Sequence, residues 1–590
     1  MASLHCRKAC RGDSRIARAS LHEQMRSKRS NMEFSALFCV LNAKYIHSSP
    51  APWCLLAGVK QYAPHINAQV LEATINEKED DVLVRILSKA PTVVTFTCYI
   101  WNITETLRLT KRIKNELPSI IIALGGPEVS YNAAEMLATN NEIDYILSGE
   151  GEESVPAFLS CLEKSEAPTP QIVSGLCTRE KISEPCVLDG EVPSPYTPEY
   201  LAALGGRIAY LETSRGCPYS CAFCLSGRCG KPRYFSLEKS FENILLLSNS
   251  GTQTVKFIDR TFNANPAHAN AILQFILGNY GTKIPAGVCF HFELAGDILR
   301  EETFKLLQKA PVGAFQLEIG MQSFCEKTLA AVRRKTDTTV LKKNIQRLVA
   351  MQNMHVHIDL IAGLPYENIA TFAQSFNTAY ALGANMLQLG FLKLLYGSAM
   401  RDEPQEFPCE FSLTPPYEVT STPWLAPKDI AILRSTEDAL ERIYNSGRFR
   451  ETAAYMLAKT RLTPFDFYTQ IGGVPAKTPL DEYAQILYEK CVNMPNVEKD
   501  FLRDAMVCDM LSINSTGKLP KCLQVKDDML RKAVIALSQN PETAPKKGIK
   551  RGTALLYGAK CAVFVDYTQK NAVTGRYLLH KCAIDNLPRK

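Results

Sequence analysis

At 590 residues the chain is long enough for roughly three or four domains of about 150 residues each, and its 46% hydrophobic and 22% charged residues exclude a disordered or fibrous chain. The net charge of +7, without a basic stripe interleaved with aromatics, gives no clear nucleic-acid signal, and no run of about 18 apolar residues marks a membrane span. Twenty cysteines without a framework, and no secretory signal, point to a reducing cytoplasm.

Residues 1–32 form a basic arm. Arg7, Lys8, Arg11, Arg15, Arg18, Arg26, Lys28 and Arg29 stand against only Asp13 and Glu23, with few apolar anchors. It reads as a disordered arm, with the composition of a transit peptide, or as a start assigned too early, translation then beginning at Met32.

Over 33–165 the chain alternates strand and helix. Apolar, β-branched runs predict strands at Ser35–Leu41, Gln69–Ile75, Thr92–Thr97, Ser119–Leu124 and Asp144–Leu147, and Ile103–Glu116 reads as an amphipathic helix. Five such βα units predict a doubly wound parallel sheet of flavodoxin-like order, whose ligands bind beyond the C-terminal strand ends. Four polar or Gly-rich loops fall at those ends: 42–49, 97–102, Gly125-Gly-Pro-Glu128 and Gly149-Glu-Gly-Glu152. Each alone is turn chemistry.

Residues 166–206 read as a linker with a hairpin, Ile172–Arg179 against Ile182–Leu188, followed by the Pro-rich 192–198. A second βα series occupies 207–400. Its strands are expected at Ile208–Leu211, Thr254–Asp259, Val288–Leu294, Phe315–Met321, His357–Ile361 and Met386–Leu392, with helices such as Leu237–Leu247 and Thr338–Met351 between them. Six units curl into a partial (β/α)6 barrel with functional groups at the C-terminal strand ends.

Directly after the first of these strands comes Arg215-Gly-Cys-Pro-Tyr-Ser-Cys-Ala-Phe-Cys224, with Cys217, Cys221 and Cys224 at CxxxCxxC spacing. A four-iron, four-sulfur cluster is normally held by four thiolates, so a three-cysteine loop leaves one iron open to a chelating ligand. Zinc sites usually pair two CxxC knuckles, and no second knuckle is present. Cys229 is not assigned as a ligand, because complete ligation would remove the open position. From 401 to 590 the alternation stops. Helices are expected at Lys428–Asn445, Phe449–Lys459 and Leu480–Glu489, then a short β hairpin near Thr553–Asp566 and Gly575–His580. Tyr455, Phe465, Phe467 and Tyr468 read as core.

The cysteine loop resembles the signature of the radical S-adenosylmethionine (SAM) superfamily, in which the open iron chelates the amino and carboxylate groups of SAM. The four earlier loops, GGPE and GEGE above all, resemble the cobalamin-binding domain that precedes many radical SAM modules. The DxHxxG motif that supplies a cobalt-ligating histidine elsewhere is missing, which implies cobalamin with no protein histidine on cobalt and leaves His47 a polar loop residue. The resemblance implies Thr97, Gly126, Glu128, Gly149 and Glu150 as contacts to the corrin or its nucleotide tail. It implies Glu293 and Arg333 near the SAM ribose and carboxylate, with Asn263 and Gln322 around the pocket.

The last 190 residues resemble an uncharacterised extension found behind this pair of domains, expected to cover the barrel mouth and shape the substrate pocket. The implied activity is methylation of a carbon centre in an unknown small-molecule or peptide substrate, through a 5′-deoxyadenosyl radical and methylcobalamin, with flavodoxin or ferredoxin as electron donor. A cobalamin-assisted rearrangement or ring closure without methyl transfer, and a non-enzymatic cobalamin or redox sensor, stand as alternatives.

Overall fold

The computed structural model describes residues 34–583 apart from 229, 526–527, 540–543 and 545–546. The basic arm and Cys229 lie outside the described residues. Among the described residues, no helix is long and apolar enough to cross a membrane.

The first sheet is built from β1 (Ser35–Asn42), β2 (Asn67–Thr74), β3 (Val93–Thr97), β4 (Ile121–Gly125), β5 (Tyr145–Leu147) and β6 (Leu176–Cys177), in the order 2-1-3-4-5-6. The first five strands are parallel and follow the expected flavodoxin-like order. Their near-continuous apolar runs fit a sheet covered on both faces. One covering helix is the expected Ile103–Glu116, which buries Ile103, Leu109 and Ile113. At the point where strand order reverses, the buried Asn102 amide donates to the carbonyls of Leu41 (3.1 Å) and Thr97 (3.0 Å), fixing the ends of β1 and β3 against each other.

The connector departs from its reading. Leu176–Cys177 pairs antiparallel with β5 as the sixth strand of the first sheet, and Cys186 bridges Gly149, so the apolar residues read as a hairpin instead pack onto the preceding domain. A local alternation pattern cannot tell a hairpin partner from an edge strand already present.

The second sheet comprises β7 (Ala209–Leu211), β8 (Thr254–Phe257), β9 (Cys289–Leu294), β10 (Phe315–Gln322), β11 (His355–Ala362) and β12 (Met386–Phe391), all parallel and in sequential order. Along β10, Phe315, Leu317, Ile319 and Met321 are buried, while the alternate Gln316, Glu318, Gly320 and Gln322 are partly exposed. Apolar residues thus pack against the helices and polar ones line the lumen, the reverse of the apolar interior of a closed (β/α)8 barrel.

β12 is an open edge. The Asn445 amide covers it, accepting from Leu387 N (3.0 Å) and donating to Leu387 O (2.8 Å). Asn445 ends a π-helical turn, Glu441–Asn445, that follows the helix Pro427–Leu440. The rest of the C-terminal region is mainly helical, with Phe465, Phe467 and Tyr468 buried as core. The expected hairpin is a three-stranded antiparallel sheet, Arg551–Leu556, Cys561–Asp566 and His580–Ala583.

The helices Pro50–Tyr62 and Gly151–Glu163 touch so closely that a Cβ on Gly58 would collide with the Glu152 carbonyl. Gly58→Val is therefore expected to cost about 1–3 kcal/mol, measured by denaturant unfolding, and to displace the Glu152 side chain described next.

Candidate functional site

The cysteine loop is closed at its base by a two-stranded clamp, Ser214–Arg215 against Arg233–Tyr234. Gly216 turns the chain out of it at φ +96°, where a Cβ would come within 2.9 Å of the Lys231 carbonyl. Ala222 anchors the loop to the barrel, its N–H donating to Val332 O (2.9 Å) and its carbonyl accepting from Met400 N (3.0 Å). Cys221 is buried and Cys217 and Cys224 are half-buried. The guanidinium of Arg334 lies 3.8 Å from Cys221 Sγ, and its buried Nε has no acceptor. Three thiols beside an incompletely satisfied cation fit an anionic group such as a thiolate-held cluster.

Arg215, the residue before the loop, joins the two sheets. Its guanidinium reaches Glu150 (3.0 Å) and Glu152 (2.6 Å) at the end of β5, and Glu212 (2.9 Å) at the end of β7. Arg233 makes a second ion pair to Glu150. Burial pushes the Glu212 carboxyl up to about 7, even with Arg215 opposing the shift. A second junction lies below, where Arg207 pairs with Glu72 (2.8 Å) and His47 Nδ1 meets Tyr210 Oη (2.7 Å).

Beside the Arg215 junction lies a cavity of about 310 Å³. Thr97, Gly126, Gly149 and Glu150 line it from the first sheet, Glu212 and Arg215 from the second, and residues 191–196 of the connector close one side. At the neighbouring strand ends Tyr45, Ile46 and Trp101 are exposed, and Trp101 stacks on Tyr99 with ring centroids 4.3 Å apart.

Inside the barrel, Lys256 bridges Glu293 (3.4 Å) and Glu318 (3.0 Å), His291 Nε2 lies 2.9 Å from Glu318, and His357 Nε2 lies 2.9 Å from Asp359. Burial opposes ionisation of Glu318, yet the His291 hydrogen bond and the Lys256 charge outweigh it and hold the carboxyl down at about 2. Glu318, His357 and Asp359 converge closely enough to hold a cation. Lys256 already supplies that charge.

Residues 38–159 match the B12 binding domain, and residues 211–379 match the radical SAM superfamily. The chain joins a B12 binding domain to a radical SAM domain. Residues 405–552 match a protein of unknown function, DUF4080. The chain is similar to a 2-(S-pantetheinyl)-carbapenam-3-carboxylate methyltransferase of Streptantibioticus cattleyicolor, 26% identical over 50% of this chain and 45% of that protein. It is also similar to the cobalamin-dependent radical SAM methyltransferase TokK of Streptomyces tokunonensis, 25% identical over 53% of this chain and 47% of that protein. The chain thus spans about half the length of these curated relatives. Its fold is shared with OxsB (TM-score 0.57, 13% identity, 80% of this chain and 78% of the other). TsrM of Kitasatospora setae also shares it (TM-score 0.52, 16% identity, 63% and 78%).

Four of the five residues expected in the B12 binding domain line its cavity. Glu128 does not: it is buried and accepts a 2.5 Å hydrogen bond from Tyr417 of the C-terminal region. In the radical SAM domain, Glu293 sits in the charged lumen and Gln322 lines its upper end. Asn263 spends its whole amide on the Ala295 backbone (2.8 and 2.9 Å), clamping the chain beyond β8 to the end of β9. Arg333 points outward to Glu403 and Glu406 and over Phe407, and its neighbour Arg334 turns to the cysteines. The short helix Glu326–Ala331 ends just before them, and Arg333 itself is left-handed (φ +58°), which sets the two side chains on opposite sides. Adjacent arginines in sequence carry no signal for that choice.

Two measurements bear on the site. Anaerobic reconstitution is expected to give about four irons per chain; Cys221→Ala abolishes the cluster absorbance and Cys229→Ala retains it. Arg215→Gln leaves Glu152 and Glu212 without their cation while Glu150 keeps Arg233, expected to cost about 3–5 kcal/mol in chemical unfolding and to loosen hydroxocobalamin retention on gel filtration.

Proposed function

We propose that this chain is a cobalamin-dependent radical SAM methyltransferase acting on a carbon centre of a small-molecule or peptide substrate in the cytoplasm, with a flavodoxin or ferredoxin as electron donor. The observation that carries this reading is the Arg215 junction: one side chain ties the strand-end loop of the B12 binding domain to the base of the cysteine loop, so both sets of strand ends open toward common space. The methyltransferases similar to this chain support the same reaction class.

In this reading Cys217, Cys221 and Cys224 hold the cluster, and Arg334 stabilises its anionic surroundings. Glu293 and Gln322 flank SAM. Thr97, Gly126, Gly149 and Glu150 would hold cobalamin, and His47 is engaged by Tyr210. When bound, the cluster and SAM supply the radical that removes hydrogen from carbon, and cobalamin supplies the methyl group. The protein orients these groups, excludes water from the space between them, and keeps the lumen charges fixed through Lys256.

The test supplies SAM labelled in its methyl group, a strong reductant and a metabolite extract to the reconstituted chain. Equal S-adenosylhomocysteine and 5′-deoxyadenosine, with label in a product, is the expected result. 5′-Deoxyadenosine alone, with unlabelled product, rejects methyl transfer in favour of rearrangement or ring closure; no SAM turnover favours the sensor.

A further inference from the structure

A second cavity, of about 440 Å³, opens where the C-terminal region covers the edge of the barrel. Its inner end is formed by Gln322 at the end of β10, by Asp359 within β11, and by Phe223 of the cysteine loop. Its outer wall is the helix Pro427–Leu440, which contributes Arg434 and Glu437, together with Glu418 earlier in the chain. A region matched only to a family of unknown function therefore completes the space beside the residues proposed to hold SAM. The volume suits a compact molecule or one side chain of a peptide.

The charges in this cavity are unequal. Arg434 is already committed, 2.7 Å from Glu418 and stacked 4.6 Å over the Phe391 ring. Asp359 is already paired with His357, 2.9 Å away. Glu437 is half-buried, and burial together with the Glu441, Asp438 and Glu418 carboxylates pushes it up to about 7 against the opposing pull of Arg434. Asp438 is itself paired with Arg442 (3.0 Å), and the remaining charge on the lining is Lys393, exposed at the rim. A positive group entering here gains the Glu437 carboxylate and relieves its repulsion with Glu441, Asp438 and Glu418. An anion meets them unfavourably.

We infer that this cavity is the substrate pocket of the methyltransferase reading, and that Glu437 receives a cationic nitrogen of the substrate while the apolar body lies along Phe391 and Phe223. The C-terminal region is then the specificity module, and it acts through one face of a helix placed across the open barrel edge. Since a cation binds the ionised form of Glu437, affinity rises as pH increases through about 7 and levels off above it.

The test uses the full chain with its cluster reconstituted, and three probes of similar shape: phenethylamine, 2-phenylethanol and 3-phenylpropanoate. Thermal unfolding is followed at about pH 6 and about pH 8, values on either side of the Glu437 transition. Phenethylamine is expected to raise Tm, more at the higher pH, and the alcohol and carboxylate to leave it unchanged. Glu437→Gln removes the pH dependence and weakens amine binding about tenfold; Glu437→Asp, which keeps the charge, retains the pH dependence. An amine shift that survives Glu437→Gln unchanged, a larger shift with 3-phenylpropanoate, or no amine shift at all overturns the inference. Failure of methyl transfer has its own signature, since an amine shift that depends on Glu437 persists even when labelled SAM yields no labelled product.

Discussion

Arg215 is the side chain on which the arrangement of the two cofactor domains depends. It sits at the base of the cysteine loop, and its guanidinium is divided among the buried Glu152 and the half-buried Glu150 and Glu212. A buried cation with several carboxylate partners does little for net stability compared with a well-packed apolar contact, but losing one member leaves the others uncompensated. Such a cluster fixes geometry: it tolerates one mutual orientation of the two strand-end regions and penalises others. Gly58 contributes at one remove, by letting two helices approach until Glu152 reaches the arginine.

The second constraint is the inverted polarity of the barrel. A closed barrel of eight strands fills its interior with branched apolar side chains. Here six strands leave room for charged groups in the lumen, and Lys256, His291, Glu293, Glu318, His357 and Asp359 are held there by one another. Their mutual pairing offsets part of the cost of taking each group out of water.

An incomplete barrel has an open edge, and the C-terminal region covers it. Asn445 satisfies the edge strand, Tyr417 reaches back to Glu128 in the first domain, and Arg434 and Glu437 enter the remaining cavity. The same segment therefore closes the fold and lines the cavity, and on the reading proposed above it selects the substrate.

Much of this architecture is legible in the chain itself. The alternation of apolar runs with amphipathic helices determines two parallel sheets, because strand and helix periodicities are local properties. The CxxxCxxC spacing on one loop is likewise a local property, and the five expected positions in the first domain lie at strand ends, where four of them line one cavity. Roles that depend on side-chain direction or distant partners are not legible. Glu128 meets Tyr417 across 289 positions, Asn263 turns to the Ala295 backbone, and a left-handed residue decides that Arg334 and not Arg333 faces the cysteines. Leu176–Cys177 has the pattern of a hairpin strand and becomes a sheet edge because β5 offers it unpaired backbone groups. Sequence determined the elements and set three cysteines on one loop through local spacing; only the tertiary structure decided which charges share a buried space, because ion pairing and burial are set by long-range contacts.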